Sequence, residues 1–194
     1  MPPIQPADGL ARCEWCLNDP LNIAYHDSVW CVPCHDDDQL FEHLCLEIME
    51  AGLSWILILR KRDAFRSAFA HFKIDAVAAF PPEQVDVIMQ HENIVRARNK
   101  IEAILHNAQR VQALQAEFGS FSAYVWQWVE GKPIQNALLD YDSIPDSTAL
   151  SERISKDLKK RGFKFTGPSV VYSFLQSAGV VNDHLVHCFR YEQV

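Results

Sequence analysis

The amino-acid sequence, 194 residues long, predicts an all-α protein. Apolar residues recur along most of the chain with the three- and four-residue spacing of one helix face. Capping residues, glycines and prolines stand where these apolar stripes begin and end. We find no stretch that alternates apolar and polar residues as a half-buried strand does, and no internal repeat. These patterns favour helices joined by short connections.

The first strongly periodic segment follows three consecutive aspartates. Asp38 can cap a helix that would end near Gly52. Its apolar face would consist of Leu40, Phe41, Leu44, Cys45 and Ile48. Ser54 can cap the next helix, which runs from Trp55 through the aliphatic stretch 56–59 to basic residues. A buried strand is the alternative for so short a stretch, but the cap and the basic end favour a helix.

Further helices are predicted along the rest of the chain. Asp75 and Pro82 mark the starts of two short ones. The longest stripe ends at Gly119 and consists of Ile101, Ile104, Leu105, Ala108, Val111 and Phe118. Ser120 caps a helix that carries Phe121, Tyr124, Val125 and Trp128 and closes at Gly131. A loop over 131–145, a helix over about 147–161 and a last helix from Pro168 to Gly179 complete the prediction.

Composition narrows the class of protein. The residues are 48% hydrophobic and 22% charged, as in ordinary globular proteins, and no apolar run is long enough to span a bilayer. The N-terminus lacks a basic segment followed by an apolar one, so we expect no secretory signal and a cytoplasmic location. Six cysteines in a reducing compartment favour metal ligands or buried thiols over disulfides.

Charge is distributed unevenly along the chain. A formal net charge of −7 argues mildly against nucleic acid as a partner. Local clustering matters more than net charge, and basic residues cluster at 60–66, 96–100 and 156–164. Each cluster is either a solvated helix face or a set of phosphate contacts.

The third cluster surrounds a turn that can bind an anion. Gly162 and Gly167 lie within the segment 158–168, and Pro168 starts the next helix. Two glycines permit backbone geometries in which amide groups face one direction, and the helix N-terminus adds unpaired N–H groups. Lys160 and Lys164 can supply charge for flanking phosphates. The segment predicts either a sequence-independent contact with a DNA backbone or an ordinary corner between helices.

Several short motifs, taken in order, resemble one known family. They are PLNIAYHD at 20–27, Trp30, LE at 46–47, AGLSW at 51–55, KKRGFKF at 159–165, YSF at 172–174 and VNDH at 181–184. From Cys13 to Cys188 the chain resembles bacterial 3-methyladenine DNA glycosylase I. The resemblance implies a helix-hairpin-helix fold in a single domain of two helical lobes over residues 1–194, with the hairpin at about 158–168. It also implies a monomeric enzyme that flips 3-methyladenine out of double-stranded DNA and hydrolyses its N-glycosidic bond, leaving an abasic site without cutting the strand.

The resemblance assigns roles to individual residues. Glu47 corresponds to the pocket carboxylate, which accepts hydrogen bonds from the adenine edge and favours a cationic base. Trp55 would stack on the base, and Tyr25 would line the pocket. Gly52 and Leu53 would approach the gap that the flipped nucleotide leaves in the DNA. From the residues alone, the same positions are a surface carboxylate, core aromatic rings and a buried leucine.

Two positions bear on substrate range and mechanism. Asn22 stands where the family commonly has tyrosine, so an amide that can hydrogen-bond the base edge replaces a stacking ring. Asp183 is a candidate for activating the attacking water, and alternatively for orienting His184 through a hydrogen bond.

Two sets of zinc ligands compete. The spacing of Cys13, Cys16, Cys31 and Cys34 is close to that of a four-cysteine zinc ribbon. The resemblance instead implies one structural zinc per chain that joins the two ends of the chain, held by Cys13, His26, His184 and Cys188. His184 and Cys188 are four residues apart, which predicts that they share one helix face. We favour this second set, because Cys13, His26 and the motif at 182–184 occur in family context and Cys188 falls at the matching offset, whereas Cys31 stands where the family has glycine.

Two other functions stay open from the sequence. One is a non-catalytic, zinc-containing DNA-binding module, in which the hairpin and the zinc serve recognition alone. The other is a zinc- or cysteine-dependent hydrolase of small molecules, but the chain has no His-Glu-x-x-His motif. The motif contexts of Glu47, Tyr25 and Trp55 favour the glycosylase.

Overall fold

A computed structural model describes residues 6–194 of the chain. Within them the helices are α1 Pro20–Ser28, α2 Asp37–Glu50, α3 Trp55–Arg60, α4 Arg62–Ala68, α5 Ile74–Ala78, α6 Gln84–Gln90, α7 Arg98–Phe118, α8 Phe121–Trp126, α9 Ala149–Lys160 and α10 Pro168–Ser177. Two short strands, β1 Ile134–Gln135 and β2 Val181–Asn182, pair in parallel. None of these helices has both the length and the apolar composition that crossing a membrane requires. The fold is mainly helical, as predicted.

Helix α2 lies at the centre of the hydrophobic core. Helices α7, α8 and α10 pack against it, and its residues from Leu40 to Met49 are all buried. The five apolar residues predicted to share one face are fully enclosed. Because neighbouring helices cover α2 on several sides, the polar residue Glu47 near its C-terminal end lies in the interior of the protein.

The three consecutive aspartates around the start of α2 each cap a different helix. Asp36, rather than the predicted Asp38, caps α2 by accepting a backbone hydrogen bond at 2.9 Å. Asp37 accepts from two backbone N–H groups at the start of α8, both at 2.8 Å. Asp38 accepts from the first backbone N–H of α5 at 2.9 Å. The assignment to Asp38 was wrong because α2 begins at Asp37, so Asp36 occupies the N-cap position and Asp38 lies within the first turn.

Most other predicted helix boundaries are confirmed. Gly119 ends α7, the side chain of Ser120 caps α8, and Pro168 is the first residue of α10. Helices α5, α6 and α9 begin within two residues of their predicted starts. Ser54 precedes α3 as predicted, although its side chain makes no capping hydrogen bond.

The strand pair was not predicted. Residues 134–135 pair with residues 181–182, which attaches the long loop after α8 to the segment that follows α10. Two residues are too few to show the alternating pattern by which a strand is recognised in sequence. The pair matters because it holds part of this loop beside the C-terminal segment.

The C-terminal segment corrects one prediction. Residues 183–194 form turns rather than a helix, so His184 and Cys188 do not share a helix face. A turn with a hydrogen bond from Cys188 N to Leu185 O, at 2.7 Å, brings them together instead. A second apolar cluster joins this segment to the N-terminal part of the chain, and consists of Cys13, Tyr25, Trp30, Cys31, Leu185 and Cys188. The two ends of the described chain therefore pack against each other.

Candidate functional site

A cavity of about 210 Å³ opens at the C-terminal end of α2. Its walls consist of Trp15, Tyr25, Trp30, Glu47, Glu50, Trp55, Tyr141, Ile144, Ser173 and Gln176. The three residues predicted to form a pocket, Tyr25, Glu47 and Trp55, are all among them. The volume is below the roughly 300–1,000 Å³ of pockets for drug-sized ligands, so it suits one small ring system.

Glu47 contributes a buried carboxyl group to this cavity. Its side chain lies near the end of α2 and the residue is only 5% exposed, which excludes the surface carboxylate considered from sequence. Burial raises the pKa of Glu47 well above its usual range, and the neighbouring Glu50 carboxylate raises it further. An isolated carboxylate is costly to bury, so a ligand that brings a positive charge is favoured here.

Aromatic rings form much of the remaining wall. The rings of Tyr25 and Trp55 have centroids 4.8 Å apart and planes inclined by 53°. Trp15 and Trp30 meet edge to face at 5.0 Å. Rings of this kind can hold a flat heterocycle by stacking, which contributes roughly 1–3 kcal/mol per base in nucleic-acid complexes.

Two indole groups offer hydrogen-bond donors. The Nε1 atoms of Trp15 and Trp55 are buried and have no hydrogen-bond partner among residues 6–194. Buried polar groups are normally satisfied, so two unpaired donors on residues that line one cavity point to a bound ligand or solvent. This observation favours a binding site over a purely structural aromatic core.

Several wall residues were not identified from sequence. Glu50, Trp15, Tyr141 and Gln176 line the cavity but had no predicted role. Glu50 could have been found, since it follows Glu47 by three residues and therefore lies on the same helix face. The other three come from segments distant in sequence, and no local pattern associates them with the site.

Asn22 was predicted to border the cavity, but the structure places it elsewhere. It is 4% exposed, is absent from the cavity wall, and donates a hydrogen bond to Asn18 Oδ1 at 2.6 Å. Its own Oδ1 has no partner within the described residues. The Asn22 amide therefore lies outside the cavity and is not positioned to hydrogen-bond a base edge there.

Asp183 stands behind the cavity wall. It is fully buried and accepts hydrogen bonds from Tyr172, Gln176 and Asn136 at 2.6, 2.7 and 2.7 Å. Its carboxylate thus supports Gln176, which lines the cavity, and does not line it itself. Neither predicted role fits. An attacking water would have to lie in the cavity, which the Asp183 carboxylate does not line. The ring nitrogens of His184 lie beside Trp30 O and Cys188 Sγ rather than beside Asp183.

The turn between α2 and α3 projects a leucine. Gly52 has φ +80°, a left-handed conformation that glycine adopts without strain, and Leu53 beside it is 41% exposed. This exposure contradicts the buried leucine that was the alternative from sequence. The turn lies only a few residues from both Glu47 and Trp55, so Leu53 extends from the same part of the chain as the cavity wall.

The segment between α9 and α10 is a turn held by α7. Asn107 is fully buried and makes two hydrogen bonds to the backbone of Lys164, donating at 2.9 Å and accepting at 2.8 Å. Gly162 has φ +86°, as predicted for a special backbone geometry. Gly167 has an ordinary φ of −66°, and Phe165 takes a left-handed conformation instead, with φ +58°. The geometric prediction is thus confirmed for one of the two glycines.

The basic clusters differ in how far they are neutralised. Arg62 and Arg66 both pair with Glu42, and Arg98 pairs with Asp86. Lys100, 9% exposed, donates to two backbone oxygens at the end of α2 and is not a surface cation. By contrast, the exposed hairpin lysines form no salt bridge with any carboxylate of residues 6–194; they are Lys159, Lys160 and Lys164.

Four buried side chains form a cluster that could hold a metal ion. They are Cys13, His26, His184 and Cys188, and their ligand atoms all lie within 4.8 Å of one another. The Cys188 Sγ is 3.5 Å from His26 Nε2 and 3.5 Å from His184 Nδ1. Zinc bonds of about 2.0–2.3 Å in a tetrahedron place ligand atoms roughly 3.3–3.8 Å apart, so the donor set and the two Cys188 distances fit this ion.

The outer nitrogen of each imidazole has its own partner. His26 Nδ1 lies 2.8 Å from Asp27 Oδ1, and Arg12 in turn binds the Asp27 carboxylate at 2.8 Å. His184 Nε2 lies 3.2 Å from the backbone oxygen of Trp30. Such partners fix the orientation of metal-binding histidines and direct the other nitrogen toward the metal.

The four-cysteine ribbon does not form. Cys31 packs near the four-residue cluster but is not part of it, and its Sγ accepts a hydrogen bond from Asp183 N at 3.4 Å, while Cys34 lies beside Gln39. Cys16 is buried and donates to Cys13 O at 3.1 Å. Cys31 has φ +61°, a conformation that favours glycine. The competing set that joins the chain ends is the one whose geometry is present.

Comparison with known proteins relates nearly the whole chain to one group of proteins. The methyladenine glycosylase family model matches residues 15–191. The chain is 44% identical over 182 residues to DNA-3-methyladenine glycosylase 1 of Escherichia coli, covering 94% of this chain and 97% of that protein. It is similar to a crystal structure of 3-methyladenine DNA glycosylase I, with TM-score 0.88, 46% identity, and coverage of 92% of this chain and 98% of the other. A second crystal structure, of 3-methyladenine DNA glycosylase I in complex with 3-methyladenine, has TM-score 0.89, 39% identity, and coverage of 92% and 96%.

Proposed function

The chain belongs to the methyladenine glycosylase family, and from that membership we propose that it excises 3-methyladenine from alkylated double-stranded DNA. The reaction is hydrolysis of the N-glycosidic bond after the nucleotide has rotated out of the stack, leaving an abasic site and an intact strand. The observation that carries the proposal is the buried carboxyl group of Glu47 in a small aromatic cavity.

The cavity binds the extruded base. Trp55 and Tyr25 hold the flat ring, and the free indole N–H groups of Trp15 and Trp55 are available as donors. Extruding a base costs a few kcal/mol, and stacking on these rings offsets part of that cost. A relative has been solved in complex with 3-methyladenine, which supports this base as the ligand.

Charge provides the selectivity. Methylation at N3 makes the base in DNA cationic, whereas an undamaged adenine is neutral. A buried carboxylate gains more from a cation than from a neutral ring, because the surroundings screen the interaction poorly. Glu47 therefore favours the alkylated base and holds its edge.

The same positive charge weakens the bond that breaks. The bonding electron pair passes to the base, which leaves as neutral 3-methyladenine, and the sugar carbon becomes electron-poor. Water adds to that carbon and loses a proton to the solvent. Since the departing base needs no proton, no general acid is required, and Glu47 acts by selecting and positioning the base.

The α9–α10 hairpin provides the contact with the DNA backbone. The unpaired lysines and the N-terminus of α10 face phosphates, with Lys160, Gly162, Lys164 and Gly167 as the contact positions. Asn107 holds the turn from behind without touching DNA. This contact is independent of base sequence, as a search for rare lesions requires. We expect one protein molecule, one domain of two helical lobes, to bind each lesion.

Gly52 and Leu53 fill the gap in the duplex. The exposed Leu53 is an apolar group that can insert between base pairs when the nucleotide leaves the stack. Gly52 provides the left-handed turn that projects it. Because this turn leads directly into Trp55, insertion and base binding occur within one short segment.

A structural zinc ion joins the two ends of the chain in this proposal. Cys13, His26, His184 and Cys188 would hold it, and four protein ligands leave no position for a reacting water. Trp30 links this cluster to the cavity, since its ring packs on His184 at 4.8 Å and also lines the cavity. The zinc would supply stability to this wall rather than chemistry. A site closed by four protein ligands argues against the small-molecule zinc hydrolase considered from sequence.

Chromatography of the bases released from methylated duplex DNA tests the function. The wild-type protein should release 3-methyladenine, and Glu47→Gln should release it about a hundredfold more slowly, the effect of losing a charged hydrogen bond worth roughly 1.5–3 kcal/mol. Asp63→Asn is the matched control, because that carboxylate is 99% exposed on α4. DNA binding without release of any methylated base by the wild type would favour the non-catalytic module instead.

A further inference from the structure

The cavity contains a second carboxyl group for which the proposed reaction has no role. Glu50 follows Glu47 by one turn of α2, and both side chains line the same cavity. Glu50 is half-buried, whereas Glu47 is 5% exposed. The site thus has one carboxyl group at depth and one nearer the solvent, hereafter the carboxyl pair.

No salt bridge neutralises the carboxyl pair within residues 6–194. The ammonium group of Lys100, on α7, donates to the backbone oxygens of Met49 and Ala51 at 3.0 and 2.6 Å. It therefore lies close to Glu50 but is held by the backbone. A positively charged ligand would be the direct counter-ion of the pair.

Among the described residues, the other groups that face the carboxyl pair include no ammonium, guanidinium or imidazole group and no further carboxyl group. The long loop after α8 contributes the phenol of Tyr141, and helix α1 contributes the phenol of Tyr25. Helices α3 and α10 contribute Trp55, Ser173 and Gln176. Asp183 lies behind this wall, where three hydrogen-bond donors satisfy its carboxylate. The cavity wall formed by residues 6–194 therefore contains no further carboxylate or imidazole to which the proton of the pair could pass.

Two carboxyl groups one helix turn apart on the wall of the same cavity repel each other when both are ionised, so we expect the pair to keep one proton when the cavity is empty. Burial, and then the charge of Glu50, raise the pKa of Glu47 well above its usual range. Burial also raises the pKa of Glu50, but a hydrogen bond from Glu47 opposes this rise. The proton consequently rests on the deep group and the negative charge on the outer one.

We propose that Glu50 takes the proton of Glu47 when a positively charged base enters the cavity. The proton passes from one carboxyl oxygen to the other, so Glu47 becomes the carboxylate beside the base and Glu50 the neutral acid. The pair keeps a single negative charge throughout, and nothing is released to the solvent. Glu50 acts through Glu47 and is a positioning residue. The inference rests on the proposed function, because it takes a base as the occupant of this cavity.

Glu50→Gln preserves the size of the side chain and removes the proton acceptor. Glu47 must then lose its proton to the solvent against the full cost of burial, so binding of a cation should require a higher pH. If Glu50 acted only by repelling the Glu47 charge, its removal would shift binding to lower pH instead. The direction of the shift therefore distinguishes proton transfer from simple repulsion.

The probes are 3,9-dimethyladeninium, which carries a fixed positive charge, and neutral 9-methyladenine. Binding is followed by tryptophan fluorescence, since Trp15, Trp30 and Trp55 line the cavity, between about pH 5 and 9, the range in which a raised carboxyl pKa shows itself. At pH 7 we expect Glu50→Gln to bind the cation about tenfold more weakly than the wild type, and to recover as the pH rises. Binding of the neutral base should be equal in both, which also shows that the cavity is intact.

A pH profile of Glu50→Gln that coincides with the wild type, or that moves to lower pH, would overturn this inference. Asp63→Asn should match the wild type, and Glu47→Gln should lose the preference for the cation at every pH. Base release from methylated DNA distinguishes failure of the proton transfer from failure of the proposed function. A wild type that releases 3-methyladenine alongside an unshifted Glu50→Gln profile refutes only the proton transfer. A wild type that neither releases a base nor binds the cation refutes both.

Discussion

We expect Asn107→Ala to weaken DNA binding, although we do not propose that the Asn107 side chain itself contacts DNA. This side chain is fully buried in α7 and holds the hairpin turn through two hydrogen bonds to the backbone of Lys164, at 2.9 and 2.8 Å. Its removal leaves one backbone N–H and one backbone oxygen without their partner. Phosphate contacts that depend on the orientation of the turn should therefore be lost, whereas the cavity, on another part of the fold, should remain intact.

The magnitude follows from the two bonds. Each is worth about 0.5–1.5 kcal/mol net, so Asn107→Ala should lower the free energy of unfolding by about 1–3 kcal/mol. A domain with a typical stability of about 5–15 kcal/mol stays folded after such a loss. The DNA-binding measurement is thus made on a folded protein.

Gln112→Ala is the matched control on the same helix. Its amide also makes a side-chain hydrogen bond, to Asp75 at 2.8 Å, but at an exposed site. We expect a change in unfolding free energy within about 0.5 kcal/mol for this variant. Urea unfolding followed by circular dichroism gives the stabilities, and fluorescence anisotropy gives the affinity for undamaged duplex DNA.

Two results would refute this reasoning. One is an Asn107→Ala protein with wild-type DNA affinity despite its lower stability, which would mean that the turn does not contact DNA. The other is a parallel loss of binding to 3,9-dimethyladeninium, which would show a general disruption rather than a local one.

Three further predictions concern the metal, the phosphates and pH. Cys188→Ser should lose bound zinc and melt at lower temperature, whereas Cys16→Ser should keep the metal, as measured by elemental analysis. Lys164→Gln should reduce the salt-dependence slope of duplex binding by about one, measured by titration at several salt concentrations. Burial lowers the pKa of His43 to about 4, and the unfolded chain takes up that proton near pH 6.5. Stability should therefore fall between about pH 6.5 and 4, by up to about 1.4 kcal/mol per pH unit, and His43→Leu should flatten this fall in urea unfolding.

Local patterns predicted the helices well because a helix is a local structure. The apolar faces of α2 and α7, the cap at Ser120 and the proline at the start of α10 all depend on residues within a few positions of one another. The predictions failed where the partner is distant. Asp37 and Asp38 cap helices that begin 84 and 36 residues further along the chain.

The charge patterns show the same limit. Lys100 belongs to a basic cluster in sequence, yet in the fold it is buried and binds the end of α2. Arg62 and Arg66 are neutralised by Glu42, which lies on another helix. Whether a cation is available to a phosphate depends on which carboxylate packs beside it, and sequence spacing does not record that.

For this protein, the order of the residues alone predicted a helical fold, a glycine-containing turn between its last two helices and a resemblance to a family of base-excision enzymes. The tertiary structure decided which of the two candidate ligand sets comes together, since Cys13 and Cys188 lie 175 positions apart in sequence but meet in one cluster. It also placed Glu50, Trp15 and Gln176 in the cavity and removed Asn22 from it. The physical reason is that side-chain neighbours across a core are set by how helices pack, and packing depends on every covering residue at once.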